Sequence, residues 1–376
     1  MEESTVLART TTNLPPCCLR IFKDEFVIIG TYELNKESGF RTGSIDAYDK
    51  HLTNLLVSIP TYGAILDLKF SPFDEGLLAT AHSTGNVMLW RVASDKGLEI
   101  KPLQNLQVCE TECLITSLHF SPTDSNTILI TSTYGDFATI DLASGNITLL
   151  IESSVSKSET SKLDSYTVQG NTIQAIDFQQ PEKKLVFSFE HSLECWTGEF
   201  GHLSPLQSVV FTGGDDSTIA AHDLRSGDNI WSNARLHEAG VVAIKASTET
   251  FRRNKPTSLV TGSYDDHIRS FDLRMFTEKE IYPGQNVPVL NKIQEDLGGG
   301  VWRFSEAPDN DGALDNRLMV CCMYNGAKVV SVNDQNFSTE SYIKQGHDSM
   351  CYGGDWSKNL LVTCSFYDKS LQSWRP

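Results

Sequence analysis

Residues 211–225 and 260–274 are near-copies of each other. They read FTGGDDSTIAAHDLR and VTGSYDDHIRSFDLR, and each is a short apolar run, a turn with two Asp residues, a second short run, and Asp-Leu-Arg. An apolar run that is broken by Gly and Asp and then resumes predicts a hairpin of two strands. Asp223 and Asp272 lie 49 residues apart. This spacing predicts a repeating unit of four strands, as in a propeller or a solenoid.

The same unit recurs along the chain. The turns SPFDEG and SPTDSN follow Phe70 and Phe120, a step of 50 residues. Short segments in which apolar and polar residues alternate, separated by turn residues, are typical of strands. No long stretch shows the apolar spacing of 3.6 residues that is typical of a helix. The sequence therefore predicts an all-β fold, a single seven-bladed β-propeller spanning residues 1–376. The last unit stops after three strands, so we expect residues 4–12 to supply an N-terminal strand that closes it.

Residues 142–182 interrupt the repeat. Their SSVSKSETSKLDS stretch is polar and poor in aromatic residues, as a solvated loop is. Only about fifteen residues separate Trp196 from the strand near Thr212, too few for two further strands. We therefore interpret KLVFSF as the outer strand of the third unit, SLECWTGEF as the inner strand of the fourth, and 142–182 as a loop insertion.

The charge balance limits the classes of partner. The chain has 31 Lys and Arg against 48 Asp and Glu, a net charge of −17, whereas nucleic acids and anionic membranes bind basic surfaces. Nine cysteines, an odd number with two adjacent pairs, and the absence of an N-terminal signal sequence predict a reducing, cytoplasmic location. No apolar run is long enough to span a membrane, and the cysteine spacing indicates no metal site.

Several units end in segments that resemble WD repeats: GNVMLWRV, DDSTIAAHDLR, DDHIRSFDLR and YDKSLQSWRP. His222 and Phe271 stand where those repeats usually have Trp. In WD repeats an Asp in the turn between the second and third strands fastens the blade through hydrogen bonds. The resemblance implies a WD-repeat β-propeller and gives this structural role to Asp216, Asp265 and Asp368.

A more specific resemblance covers the chain from about residue 63 to its end. Six motifs carry it in order: AILDLKF, HSLECW followed by FTGGDD, TGSYDDHIRSFDLR, GGGVWR, HDS-x-x-YGGDW and TCSFYD. Together they resemble the diphthine methyl ester hydrolase family, also called the diphthamide biosynthesis protein 7 family. The resemblance implies a carboxylic ester hydrolase that needs no cofactor. Its partner would be translation elongation factor 2, on which it would convert methylated diphthine to diphthine before the final amidation to diphthamide.

The inner strands of a propeller begin around one mouth of the central channel, and ligands prefer such concave places. Four motif segments begin inner strands in this register: 191–196, 237–242, 298–303 and 347–352. Ester hydrolysis needs a nucleophile or an activated water, a base, and donors for the developing oxyanion. We expect His347 or His237 to be the base.

The attacking group stays open between Ser349 and a water activated by a histidine or by an aspartate such as Asp215. The sequence has no G-x-S-x-G motif, which excludes a nucleophile elbow. Arg303, or the backbone amides of Gly298–Gly300, would stabilise the oxyanion.

The substrate implied by the resemblance also carries a trimethylammonium group. Aromatic cages bind quaternary ammonium ions, often beside a carboxylate. The candidates for this binding site are Glu194, Trp196, Asp215, Tyr264, Trp302 and Tyr352. The alternative is that these aromatic residues only pack between blades.

The competing function is a non-catalytic scaffold, because most WD-repeat propellers are interaction platforms. An adaptor in membrane trafficking, with trafficking partners and an association with endosomes, would be one example. Turnover of the ester, as opposed to stoichiometric binding, discriminates between the two functions.

Overall fold

The computed structural model describes residues 3–143, 188–277, 280–358 and 360–375, and the backbone of three short strands between residues 147 and 176. All regular secondary structure in these residues is β-strand. The strands form the all-β, seven-bladed propeller that the repeat predicts. Within the same residues, no helix has the length and apolar character needed to cross a membrane.

Each blade is an antiparallel sheet of four strands, which we number outward from the channel. The strands of the first blade are Pro16–Phe22, Phe26–Thr31, Arg41–Asp49 and Leu55–Thr61, with Glu33–Leu34 pairing beside the third. Those of the second are Ile65–Phe70, Leu77–His82, Asn86–Ala93 and Glu99–Gln107. Those of the third are Ile115–Phe120, Thr127–Ser132, Phe137–Asp141 and Ile147–Leu149.

The fourth blade consists of Cys195–Phe200, Val209–Gly214, Ile219–Asp223 and Asn229–Asn233. The fifth consists of Val241–Ala246, Ser258–Ser263, His267–Asp272 and Leu290–Asp296. Between the last two strands of the fifth blade lie the short strands Met275–Thr277, Glu280–Ile281 and Gly284–Gln285. The last of these pairs with the outer strand of the fourth blade and so covers that sheet edge.

The sixth blade consists of Arg303–Glu306, Arg317–Cys321, Ala327–Val332 and Phe337–Ile343. The seventh takes three strands from the C-terminal part of the chain and its outer strand from the N-terminal part. These strands are Cys351–Ser357, Leu360–Ser365, Ser370–Arg375 and Thr5–Thr11. The predicted closure by an N-terminal strand is confirmed.

The outer strand of the third blade differs from the prediction. Ile147–Leu149 pairs with Phe137–Asp141, so the assignment of KLVFSF to this place is wrong. The predicted 142–182 insertion otherwise lies outside the described residues, apart from the hairpin of Ser165–Gln169 and Thr172–Ile176.

The hydrophobic core lies between neighbouring blades. The buried apolar residues of the described chain form seven clusters, each shared by two adjacent blades. One of them packs Leu19 and Val27 of the first blade against Val362 and Leu371 of the seventh. Burial across this last interface stabilises the closed ring, which brings all seven inner strands around one channel.

The turns between second and third strands share a backbone conformation. Six of them place a residue with positive φ at the same point of the turn: Gly85, Gly135, Ser217, Asp266, Gly326 and Lys369. Gly and Asp tolerate this left-handed conformation, which explains the turn chemistry of the repeat.

Candidate functional site

The inner strands carry an extra residue near their start. In six blades the pairing with the second strand shifts by one residue, which is a β-bulge. The bulged residues are Cys17, Leu66, Thr116, Trp196, Val242 and Tyr352. Trp302 takes the equivalent place in the sixth blade, where its backbone N–H donates to the Cys321 oxygen at 2.9 Å. Bulges redirect side chains, and these seven residues surround the mouth of the channel.

Four aromatic side chains meet at this mouth, and we call them the aromatic cluster: Trp196, Tyr264, Trp302 and Tyr352. The Trp302 ring lies at the centre. Its centroid is 4.9 Å from Tyr352, 5.7 Å from Tyr264 and 5.8 Å from Trp196. All four side chains are half-buried. The structure therefore brings together the four aromatic residues proposed for cation binding, with Trp302 in contact with each of the other three rings.

Two carboxylates adjoin the aromatic cluster. Asp215 Oδ1 accepts a hydrogen bond from Trp196 Nε1 at 3.1 Å. The backbone N–H of Asp215 donates to the backbone carbonyl oxygen of Glu194 at 2.8 Å. Burial is the main cause that raises the pKa of Tyr264, and the charges of Asp215 and Glu194 raise it further. The mouth of the channel is thus aromatic and negatively charged on this side.

Gly240 permits the close approach of Asp215 and Tyr264. A Cβ at this position would lie 2.6 Å from Asp215 Oδ1 and 3.1 Å from Tyr264 Cδ2. Atoms that close would overlap, so a side chain at residue 240 would displace both neighbours.

One residue beyond the bulge, Arg303 spans the channel. Its Nη1 donates to Asp67 Oδ1 and its Nη2 to the Leu66 oxygen at 2.8 Å. Burial opposes ionisation of Asp67, but the charges of Arg303 and Lys69 more than offset it and hold the Asp67 pKa well below its usual range. Arg303 directly follows Trp302 of the aromatic cluster in the chain, and its charge also acts against the burial that raises the Tyr352 pKa.

Lys69 lies deeper in the channel. Its Nζ donates to both Asp67 oxygens, at 3.1 and 3.2 Å. Burial and the charge of Arg20 lower the Lys69 pKa to about 8. Lys69 shares its position on the inner strand with six other channel residues: Arg20, His119, Glu199, Lys245, Ser305 and Asp355. The channel wall below the mouth is therefore a ring of mixed charges.

His237 and His347 lie inside blades, whereas we expected a general base at the mouth. His237 Nε2 is 2.8 Å from Thr261 Oγ1, and His347 Nε2 is 2.7 Å from Thr363 Oγ1. Burial is the main cause that lowers the pKa of His237 to about 3 and that of His347 to about 4. These enclosed, weakly basic imidazoles act as structural links between strands.

Ser349 does not pair with His347 as a nucleophile would. Its Oγ accepts the backbone N–H of Tyr367 at 3.3 Å, whereas Nδ1 of His347 has no hydrogen-bond partner among the described residues. Ser349 is 91% buried, with only 9% of its surface exposed. The geometry therefore does not activate Ser349 as a nucleophile through His347.

The three aspartates expected to fasten blades each accept the backbone N–H of a loop residue. Asp216 accepts that of Ser192 at 3.0 Å, Asp265 that of Glu238 at 2.8 Å, and Asp368 that of Asp348 at 2.8 Å. Each bond ties the turn of one blade to the loop that enters its inner strand.

His222 fills the place of the usual Trp by making the same type of bond. Its Nε2 is 3.0 Å from Thr212 Oγ1, just as Trp90 Nε1 donates to Thr80 Oγ1 at 2.9 Å in the second blade. The replacement therefore keeps the bond between the second and third strands.

Sequence reasoning missed several channel residues, above all Asp67, Lys69 and Cys17. Asp67 lies within the AILDLKF motif, and alignment of the inner strands places it at the same position as Arg303. The alignment of the inner strands could therefore have identified Asp67 as a channel residue. The alignment could not show which of the seven equivalent residues pair across the channel.

The comparisons with known proteins agree with each other. The whole chain is 55% identical to a diphthine methyltransferase of Saccharomyces cerevisiae and covers 99% of it. It is 28% identical to a diphthine methyltransferase of Schizosaccharomyces pombe, with 100% of this chain and 99% of the relative covered. No family model matches.

A solved structure supports the fold. One chain of the structure titled "Crystal Structure of Mitotic Checkpoint Complex" superposes with a TM-score of 0.62, covering all of this chain and 92% of that one. The sequence identity is 15%, so the similarity concerns the fold alone.

Proposed function

The chain belongs to the diphthine methyltransferase family, and we propose on this premise that it acts in diphthamide biosynthesis by hydrolysing the methyl ester of methylated diphthine on translation elongation factor 2. The observation that carries the proposal is the aromatic cluster, which lies beside Asp215. Arg303, whose guanidinium would contact the ester, is the next residue in the chain after Trp302 of this cluster. These groups match the two chemical features of the substrate, a permanent cation and an ester.

The aromatic cluster supports recognition of the cation. A trimethylammonium group cannot lose its charge by deprotonation, so it needs aromatic faces and carboxylates as partners. Each such aromatic contact contributes about 0.5–2 kcal/mol. Asp215 and Glu194 supply the negative charge on the same side of the mouth.

Arg303 and Asp215 support the chemical step. We propose that Asp215 takes a proton from a water that adds to the ester carbonyl carbon. The carbonyl oxygen gains the negative charge, which Arg303 stabilises. The carbon–methoxy bond then breaks, and methoxide takes the proton back from Asp215 and leaves as methanol. The carboxylic acid on the elongation factor releases its remaining proton to water and becomes the carboxylate.

The name of the relatives raises methyl transfer as the second function to test. A transferase would pass the methyl group to an acceptor, whereas a hydrolase releases methanol and places an oxygen of water in the new carboxylate. The full chain, in catalytic amount and without added cofactor, is incubated with methylated elongation factor in water enriched in oxygen-18. We expect methanol and one heavy oxygen in the product. Methyl transfer without methanol, or stoichiometric binding without turnover, contradicts the proposal.

A pair of variants links the activity to the aromatic cluster. Tyr352→Leu removes the ring that stacks on Trp302, and we expect a KM several-fold to about thirtyfold higher, from the loss of one cation–π contact. Tyr282→Leu is the control. Tyr282 contacts Phe276 in the segment between the third and fourth strands of the fifth blade, away from the channel. Equal kinetics of the two variants would place the substrate elsewhere.

A further inference from the structure

Two neighbouring N–H donors at the mouth lack acceptors. Nε1 of Trp302 and Nε of Arg303 are both buried, and neither has a hydrogen-bond partner among the residues that the structure describes. Buried donors without a partner are rare in native proteins and call for an explanation. Here the two belong to consecutive residues at the start of one inner strand.

Both donors are held in place by their surroundings. The Trp302 indole lies among Trp196, Tyr264 and Tyr352. The two terminal nitrogens of Arg303 are already engaged with Asp67 and the Leu66 oxygen. Its guanidinium is therefore anchored, and Nε remains as the donor without an acceptor among the described residues. Donors fixed before the ligand arrives need no reorganisation during the reaction.

The fourth blade offers a direct comparison. Trp196 occupies the same bulge position as Trp302, but its Nε1 donates to Asp215 within the protein. The two indoles at equivalent positions thus differ in the partner of their N–H group. One N–H is satisfied internally, and the other has no acceptor among the described residues.

We propose that Trp302 Nε1 and Arg303 Nε bind the carboxyl group of the ligand. The proposal rests on the proposed function and deepens it: the two donors bind the ester carbonyl oxygen of the substrate and a carboxylate oxygen of the product. The ligand class is a trimethylammonium compound that also carries a carboxyl group or its methyl ester. When water adds to the ester, the charge that forms on the carbonyl oxygen strengthens both hydrogen bonds, and methanol leaves as described above.

The first test measures binding and needs no turnover. The full chain is titrated with glycine betaine, which has a trimethylammonium group and a carboxylate, and with choline, which has no carboxylate. We expect the wild type to prefer glycine betaine by about tenfold, as a charge-assisted hydrogen bond provides. Trp302→Phe, which leaves Arg303 Nε as the remaining donor, should reduce the preference severalfold. Trp196→Phe, the matched control, should weaken both ligands alike and keep the preference.

A second substitution tests whether the effect of Trp302→Phe comes from the lost N–H and not from a disturbed aromatic cluster. Benzothienylalanine incorporated at position 302 keeps the size and shape of Trp but has sulfur in place of the N–H. It should reduce the preference as Trp302→Phe does, while choline binds as in the wild type. Equal binding of the two ligands to the wild type, or a preference that neither replacement at position 302 reduces, overturns the proposal.

Kinetics on the methylated elongation factor provide the third test. Trp302→Phe should reduce kcat about a hundredfold, as removal of an oxyanion donor does. The tests separate the two proposals. A carboxylate preference without ester hydrolysis keeps this subsite and refutes the function, whereas hydrolysis with unchanged kcat in Trp302→Phe does the reverse.

Discussion

Arg303 of the sixth blade and Asp67 of the second blade form an ion pair across the central channel. The two residues hold the same position on their inner strands, but their blades are not neighbours in the ring. Asp67 is fully buried and also contacts Lys69. The pair fixes the guanidinium just below the aromatic cluster, where the proposed reaction needs a positive charge.

Arg303→Lys should reduce kcat about a hundredfold, the cost of losing one preorganised oxyanion donor. A lysine keeps the charge but cannot contact both Asp67 and the Leu66 oxygen, and it has no donor at the place of Nε. The measurement is steady-state hydrolysis of the methylated elongation factor. Lys245→Arg is the control, because Lys245 pairs with Glu306 deeper in the same channel. It should retain wild-type activity, and equal activity of the two variants would exclude Arg303 from the reaction.

Gly240→Ala should lower kcat/KM about tenfold or more, because a small displacement of a catalytic group has effects of this order. The new Cβ would overlap Asp215 and crowd Tyr264. Gly198→Ala is a matched control: its Cβ would lie 2.6 Å from Leu129 Cδ2, between two blades and away from Asp215. Both variants should lose about 1–3 kcal/mol of unfolding free energy, measured by urea denaturation. Unchanged kinetics in Gly240→Ala would show that the geometry of Asp215 and Tyr264 does not matter.

Thr363→Val should destabilise the protein by about 2 kcal/mol and leave the kcat of the folded protein unchanged. Thr363 Oγ1 accepts a bond from Trp374 Nε1 at 3.2 Å and lies 2.7 Å from His347 Nε2. Valine has the same shape but leaves both groups buried without this partner. The more exposed Thr127→Val, which loses one bond to Asp124, should cost less than about 0.5 kcal/mol. A loss of kcat with unchanged stability would instead indicate that His347 takes part in the chemistry.

The unfolding free energy should fall as the pH decreases from about 6.5 toward 4. Burial lowers the pKa of His237 to about 3 and that of His347 to about 4. In this range the unfolded chain binds protons that the folded chain does not, so acid favours unfolding by about 1 kcal/mol per pH unit for each histidine. His237→Gln should reduce the slope of stability against pH, whereas the exposed His51→Gln should not. Parallel slopes for the wild type and His237→Gln would refute the argument.

The local sequence predicted most of the fold. The near-identical turns and the alternation of apolar and polar residues predicted seven blades. Because the last unit has only three strands, the sequence also predicted closure by an N-terminal strand, and the structure has both features. The error concerned the outer strand of the third blade, which is Ile147–Leu149. This strand has only three residues, too few for the alternating pattern that identifies the other strands.

The site was predicted in part. The motifs already contained Trp196, Tyr264, Trp302 and Tyr352, and the bulges of the inner strands direct them to one place. The expected bases, His237 and His347, are instead enclosed in their blades. The sequence around a histidine that precedes an inner strand does not show the direction of its ring. The ring can face the channel or, as here, the threonine of the next strand.

The sequence by itself determined the repeating hairpins, because their turns and alternating strands depend on residues only a few positions apart. Tertiary structure alone decided which groups meet in the channel. Arg303 and Asp67 are 236 residues apart, and they come into contact only because burial between blades closes the ring. The same closure joins the aromatic cluster and leaves the N–H donors of Trp302 and Arg303 without acceptors among the described residues.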